Sequence, residues 1–184
     1  IILGFSLANE NGYAGGIFHI FNHAFMKGLA FMCAGSIILA IGTRDMRKMR
    51  GIGFKMPITS LTLTISLLAL LGVPPLNGFW SKLYILNGCI DAKNLIVATI
   101  FILNSVLSAG YYLPLINSLF SKETSEEAEK ASEKINAVTI SLVLAAAVCV
   151  LVGLYSKPIF KVIFDAAKAL SEGKTYITSL APSG

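Results

Sequence analysis

Acidic residues are missing from the places where charge would be hardest to bury. The 184 residues include ten Asp and Glu, and none lies in the four long apolar stretches at about 17–41, 57–90, 94–120 and 136–156. Charged residues of both signs make up only 14% of the chain, against about a quarter in a typical soluble domain. That shortage argues against an ordinary water-soluble domain and for a membrane protein. Cysteine is equally sparse. Cys33, Cys89 and Cys149 are scattered in or beside apolar runs with no CxxC pair, so they read as small buried hydrophobes. The chain has no nucleotide loop, haem pair or iron–sulfur cysteine set, which speaks against a redox site within it. It opens IILGFSLANENG, with neither Met nor a basic leader. The expectation is not a signal peptide but the tail of a truncated apolar span, in a fragment or a split subunit.

The apolar stretches themselves set the fold class. A bilayer core of roughly 30 Å needs about 20 helical residues, which 17–41, 94–120 and 136–156 each supply with some tilt. Backbone groups in lipid must bond within their own segment, so these are helices. The stretch 57–90 is too long: at 1.5 Å per residue a helix of that length measures about 51 Å. It breaks at LLGVPPLNGFWSK, where Pro74 and Pro75 remove backbone donors and Gly72 and Gly78 flank them. Irregular backbone at membrane depth is tolerated where it faces protein or a wet cavity, a transporter feature. A proline kink that serves packing alone is the competing reading. The expected architecture is an all-α polytopic transmembrane bundle. Residues 1–16 are the end of a truncated span and the loop after it, 17–156 the bundle of about four spans, one discontinuous. Residues 157–184 form an amphipathic or short membrane tail.

Loop charge gives an orientation. The segment 43–55 holds Arg44, Arg47, Lys48, Arg50 and Lys55 against one acid, Asp45. The positive-inside rule puts this loop, 42–56, in the cytoplasm. The short link at 91–93 is then external, and the linker 121–135, rich in Glu, returns inside.

Three ionisable residues break the acid-free greasiness of the first span. His19, His23 and Lys27 lie four apart in FHIFNHAFMKGLAFM, so one helix face carries all three at steps of about 6 Å. A charge near mid-span costs several kcal/mol without water or a partner, and imidazoles titrate near neutrality. The ladder suits protons hopping through interposed waters. Other readings remain open at this stage. Zinc could bridge i,i+4 histidines, but a zincin needs H-E-x-x-H and Ile20 follows His19. Histidines simply buried and hydrogen-bonded would also fit. Lys82 is a second candidate, a few residues beyond the break, where freed carbonyls near 71–74 can accept from an ammonium group. Its plainer role is a structural anchor for the broken helix. In the third span Asn104, Ser108 and Tyr111 are candidates to line water, with helix packing as the alternative. No metal site is expected.

The runs HIFNHAFMKGLAFMCAGSI and GTRDMRKMRGIGFKMPITSLTLTISLLALLGVPPLNGFWSKLYIL resemble the antiporter-like membrane subunits of the respiratory complex I superfamily. That superfamily includes large subunits of multi-subunit cation/proton antiporters and of membrane-bound hydrogenases. The resemblance spans residues 17–86 and implies the C-terminal part, roughly the last four helices, of a 14-helix antiporter-like fold. It implies that His19, His23 and Lys27 form a central proton relay and that Lys82 follows the broken helix near the exit. The first repeat of that family, with its buried glutamate–lysine pair, has no counterpart here, so a complete pathway needs further helices or a neighbouring subunit. The function implied is proton, or cation/proton, translocation in a redox-driven NADH-quinone oxidoreductase-like or hydrogenase-like complex. A gradient-driven Na+/H+ antiporter subunit and a non-transporting split or degenerate scaffold are the alternatives. The resemblance also implies no cofactor in this chain, other membrane subunits as partners with protons and possibly Na+ as cargo, a lipid bilayer setting without nucleic acid, and a prokaryotic plasma membrane.

Overall fold

A computed structural model describes residues 1–180, with side chains through residue 173. The described residues form helices and no strand: α1 (Ile2–Ser6), α2 (Glu10–Ile41), α3 (Pro57–Leu71), α4 (Asn77–Asp91), α5 (Leu95–Leu119), α6 (Glu126–Glu129), α7 (Ala137–Leu154) and α8 (Ser156–Leu180). Of these, α2, α5 and α7 are each long and apolar enough to cross a membrane.

Helix α2 is the spine. It begins at Glu10, earlier than the apolar run, because Asn9 caps it: the Asn9 carboxamide oxygen accepts from Gly12 N–H at 2.8 Å. The same side chain donates to Gly88 O at 2.8 Å and so pins the start of α2 to the end of α4. Buried Phe18, Asn22, Met26, Leu29, Cys33 and Ile37 recur at three- and four-residue steps and form its inner stripe.

Helices α3 and α4 run antiparallel to α2, one after the other. The lower half of α2 meets α4, as His19 meets Ser81, and the upper half meets α3, as Cys33 meets Thr62. Each has 15 residues, about 22 Å, so neither spans the hydrocarbon alone. Pro57 opens α3 at its first turn, where a missing N–H costs nothing. Gly72 closes it in the left-handed region at φ +88. The connector 73–76 carries a cis Pro74–Pro75 peptide.

Helix α7 packs against α2, α3 and α4 together and reaches the connector at Gly153. A Cβ there would meet Pro75 O and, at 2.7 Å, Asn77 N. Trp80 Nε1 donates to Gly153 O at 2.7 Å, fastening the contact. Helix α8 is amphipathic. It lays Phe160, Ile163, Phe164 and Ala167 with Phe18 and Val152, while Lys157, Lys161 and Lys168 stay exposed. Residues 181–184 of the expected tail lie outside the described residues. Helix α5 buries only Ala98 and Leu119; its apolar surface faces outward, as a lipid- or subunit-facing helix would.

On the loop side, the basic and acidic segments meet. Lys48 pairs with Glu127 at 2.7 Å, Arg50 with Glu123 at 3.0 Å and Lys55 with Glu129 at 2.6 Å. Backbone bonds from Gly51 N to Ser118 O (2.9 Å) and Ser125 N to Arg50 O (3.1 Å) complete the seam.

Candidate functional site: ionisable residues beside the helix break

The α2 ladder meets α4 through the contact of His19 with Ser81, beside Lys82 in sequence. Lys27, His23 and His19 descend α2, and the His19 and His23 rings lie 5.7 Å apart. His19 Nδ1 meets Ser81 Oγ on α4 at 2.8 Å. The same hydroxyl also lies 3.2 Å from Gly78 O, so it can donate there while accepting from the ring, or donate to the ring nitrogen. Lys82 follows Ser81 on α4.

The broken helix builds the environment of Lys82. Its Nζ donates to Leu71 O at 3.0 Å and to Ser105 Oγ at 3.3 Å. Leu71 O is free because α3 stops there, so the break supplies the acceptor. A Cβ on Gly72 would meet Lys82 Cδ at 2.9 Å; glycine serves both the left-handed cap and the approach of the amine. Lys82 opens onto a cavity of about 400 Å³ whose other walls, Phe79, Leu83, Phe101 and Ile102 among them, are apolar apart from Ser105. Gly78 falls in the first turn of α4 rather than in the connector, and lets that turn pack on Ala69 O and Met26 Sδ.

Other expected residues are placed elsewhere. Lys27 Nζ lies 5.9 Å from the Phe31 ring centroid, a cation–π contact on the side of α2 where Phe31 is 72% exposed. Asn104, Ser108 and Tyr111 bond with one another on α5: Ser108 Oγ donates to Asn104 O at 2.9 Å and Tyr111 OH to Ser108 Oγ at 3.1 Å. None of the three reaches Lys82; Ser105, between them in sequence, does. Among the described residues, no group of three or more His, Cys, Asp or Glu could hold a metal.

Two residues that spacing arguments passed over sit at the centre. Asn22 and Asn77 are fully buried and bond reciprocally. Asn22 Nδ2 donates to Asn77 O at 3.0 Å, and Asn77 Nδ2 to Asn22 Oδ1 at 3.1 Å. The bond joins α2 to the first residue of α4, one turn above the His19–Ser81 contact. Asn22 is three residues after His19, so the helical period that groups the ladder also reaches it.

A bundle of apolar helices, one interrupted at mid-length with a lysine on its freed carbonyl, defines an integral membrane protein of the antiporter-like class. Residues 1–108 match the family described as NADH:quinone oxidoreductase/Mrp antiporter, TM, and the chain belongs to that family. It is 33% identical over 179 residues to the F(420)H(2) dehydrogenase subunit N of Methanosarcina mazei, covering 92% of this chain and 36% of that protein. Among solved structures, it resembles a chain of the membrane-bound sulfane sulfur reductase, an archaeal respiratory membrane complex. The TM-score there is 0.79 and the identity 31%, covering 93% of this chain and 34% of that one. A chain of the Mrp complex from Dietzia sp. DQ12-45-1b gives a TM-score of 0.84 at 19% identity, over 95% of this chain and 41% of that one, a likeness of fold. The chain thus spans about a third of the length of the relative it matches in sequence.

Proposed function

We propose that this chain moves protons across the membrane as part of an antiporter-like subunit, in a complex whose redox chemistry takes place in other subunits. The observation that carries the reading is Lys82 on the carbonyl freed by the α3–α4 break, with the His19–His23 pair reaching the neighbouring Ser81 and Lys27 one helical step beyond the pair in sequence. A titratable amine held by one carbonyl and one hydroxyl can exchange partners after a small shift of the break, as a gated proton site requires. The redox driver is supported by the F(420)H(2) dehydrogenase and sulfur reductase relatives. On this reading the partners are other membrane subunits, this chain holds no cofactor, and the basic loop 42–56 faces the cytoplasm of a prokaryotic plasma membrane.

The test is made on the full-length subunit within its complex, in inverted membrane vesicles. Lys82→Ala and Lys27→Ala should each abolish donor-driven acidification of the lumen, followed by a pH-sensitive dye, while assembled complex remains. Unchanged pumping in both variants overturns the relay. Sodium–proton exchange without any electron donor would point instead to a gradient-driven antiporter using the same residues.

A further inference from the structure

The linker between α5 and α7 is acidic in sequence, yet folding engages nearly all of its negative charge. Residues 121–135 hold five Glu against Lys122, Lys130 and Lys134. Glu127, Glu123 and Glu129 pair with Lys48, Arg50 and Lys55 of the basic loop. Glu133 turns inward to the first turn of α3. Its Oε2 accepts from Ile58 N at 2.7 Å and Thr59 N at 3.2 Å, and its Oε1 from Thr59 Oγ1 at 2.6 Å. The lysines of the linker have no such engagement. Among the described residues, neither Lys130 nor Lys134 makes an ion pair. Lys130 acts on Glu127 through charge alone, and that carboxylate is already bonded to Lys48 at 2.7 Å.

Both lysines line one cavity of about 430 Å³, where the end of α2 and the starts of α3 and α7 meet the linker. That volume falls in the usual range of small-ligand sites, about 300–1,000 Å³. The other charged lining residue is Glu133, and both of its oxygens are held by α3. Asn136, also lining the cavity, caps α7 through its Oδ1, which accepts from Thr139 N at 3.1 Å. Its Nδ2 remains as a donor for a ligand. The rim is apolar. Leu39, a lining residue in the last turn of α2, is 87% exposed, and Ile135, next to Lys134, is 81% exposed. Val138, which lines the cavity from α7, is exposed as well. So is Met32, seven residues before Leu39 and therefore on the same face of α2. An apolar strip thus runs from the cavity down a membrane-crossing helix.

We propose that this cavity binds the phosphate of an anionic phospholipid from the leaflet on the loop side. Lys130 and Lys134 hold the phosphate, Asn136 donates to it, and the acyl chains lie along Leu39, Met32 and Val138. Basic pockets between helices at the membrane boundary take anionic headgroups in this way. The apolar rim favours a lipid over a dissolved anion, because a dissolved anion leaves Leu39 and Ile135 in water. The lysine stems add to the apolar contact while their ammonium groups stay at headgroup level. A lipid seated here ties the start of α7 to the bilayer and, through Glu133, steadies the start of α3. The site is independent of the proton relay and of which side of the membrane the loop faces.

The test uses the full-length subunit in its complex, in nanodiscs of neutral phosphatidylcholine with increasing phosphatidylglycerol. An environment-sensitive maleimide dye on Ser132→Cys, at a residue lining the cavity, reports occupancy, with the complex lacking that cysteine as the blank. Emission should change saturably with the phosphatidylglycerol fraction. Lys130→Gln and Lys134→Gln should each raise the half-saturating fraction about fivefold, and the double change should abolish saturation. Lys134→Arg should bind as the parent does, and so should Lys122→Gln, on the same linker but outside the cavity. Both lysines are exposed, so the amount of assembled complex should stay the same; if the double variant assembles poorly, the single variants decide the matter. Saturation unmoved by the lysine changes would reduce the response to general surface charge and overturn the site. A response to dissolved inorganic phosphate, with none to phosphatidylglycerol, would make the occupant a soluble anion and overturn the lipid. A Ser132→Cys thiol that resists the dye in the assembled complex would show another subunit covering the cavity, which also overturns it.

Discussion

Asn22 and Asn77 show what a single pair can do in a membrane bundle. Without water, a buried carboxamide must find its partner in the protein. Asn22 is held by the backbone and side chain of Asn77 across α2 and α4, while Asn77 Oδ1 is left without a hydrogen-bond partner among the described residues and Asn77 lies beside the Cys149 thiol on α7. Interhelical hydrogen bonds in membranes average only about 0.6 kcal/mol. Leaving a buried partner unpaired costs more, about 1–3 kcal/mol. Asn22→Ala should therefore lower stability by about 1–3 kcal/mol, read as the midpoint of thermal unfolding in detergent. Asn22→Leu combined with Asn77→Leu should cost less than the sum of the two single changes. Additive losses would show that the pair does not act as a unit. Lys82 presents the opposite case, a charge held by backbone: its acceptor, Leu71 O, exists only because α3 terminates at Gly72.

At the level of elements, the loop-side seam behaves as a charge-dependent latch. Hydrogen bonding from Lys48 holds the Glu127 carboxyl below its ordinary value, and hydrogen bonding from Arg47 does the same for Asp45. Donating to the Glu127 carboxylate raises Lys48 above the usual lysine value. For the depressed carboxylates the contribution is fully present above their unfolded values, about 4, and is lost as pH falls through the folded values. For Lys48 it is present below about 10.4 and is lost as pH rises through the raised value. The pairs are solvent-exposed, so salt screens them. The protection of linker amides 123–133, their slowing relative to the intrinsic exchange rate at each pH, should thus be highest between about pH 5 and 10. That protection should fall on acidification below about pH 4 and in molar salt. Exchange that ignores both would show that the backbone bonds from Gly51 and Ser125 hold the linker unaided.

For the whole molecule, orientation is the testable property. The native thiols Cys33, Cys89 and Cys149 are buried, so an introduced cysteine reports cleanly. A charge-impermeant maleimide applied from the cytoplasm should label Arg47→Cys in the basic loop, and applied from outside should label Ala92→Cys in the α4–α5 link. The reverse pattern would invert the topology and the direction of the relay with it. The α5 face, apolar and almost wholly exposed, is the surface left for lipid or another subunit.

Much of this was legible in the linear chain for a simple reason. Helical period and hydropathy are local, so the ladder at His19, His23 and Lys27, the apolar spans and the proline-rich interruption at 74–75 follow from residues within a turn or two of each other. The same period, applied to PITSLTLTISLLALL, marks Thr59, Thr62 and Ser66 as one face, and Thr62 bonds its own helix as span hydroxyls usually do. What only the tertiary structure decided are the contacts between distant segments. Trp80 reaches Gly153 across 73 positions, Asn22 reaches Asn77 across 55, and Glu133 comes from the linker to Thr59 across 74. By sequence no acid lies in any span. Folding sets one on the end of a span, because the return of the chain between α5 and α7 passes directly over the start of α3, and no local periodicity encodes that crossing.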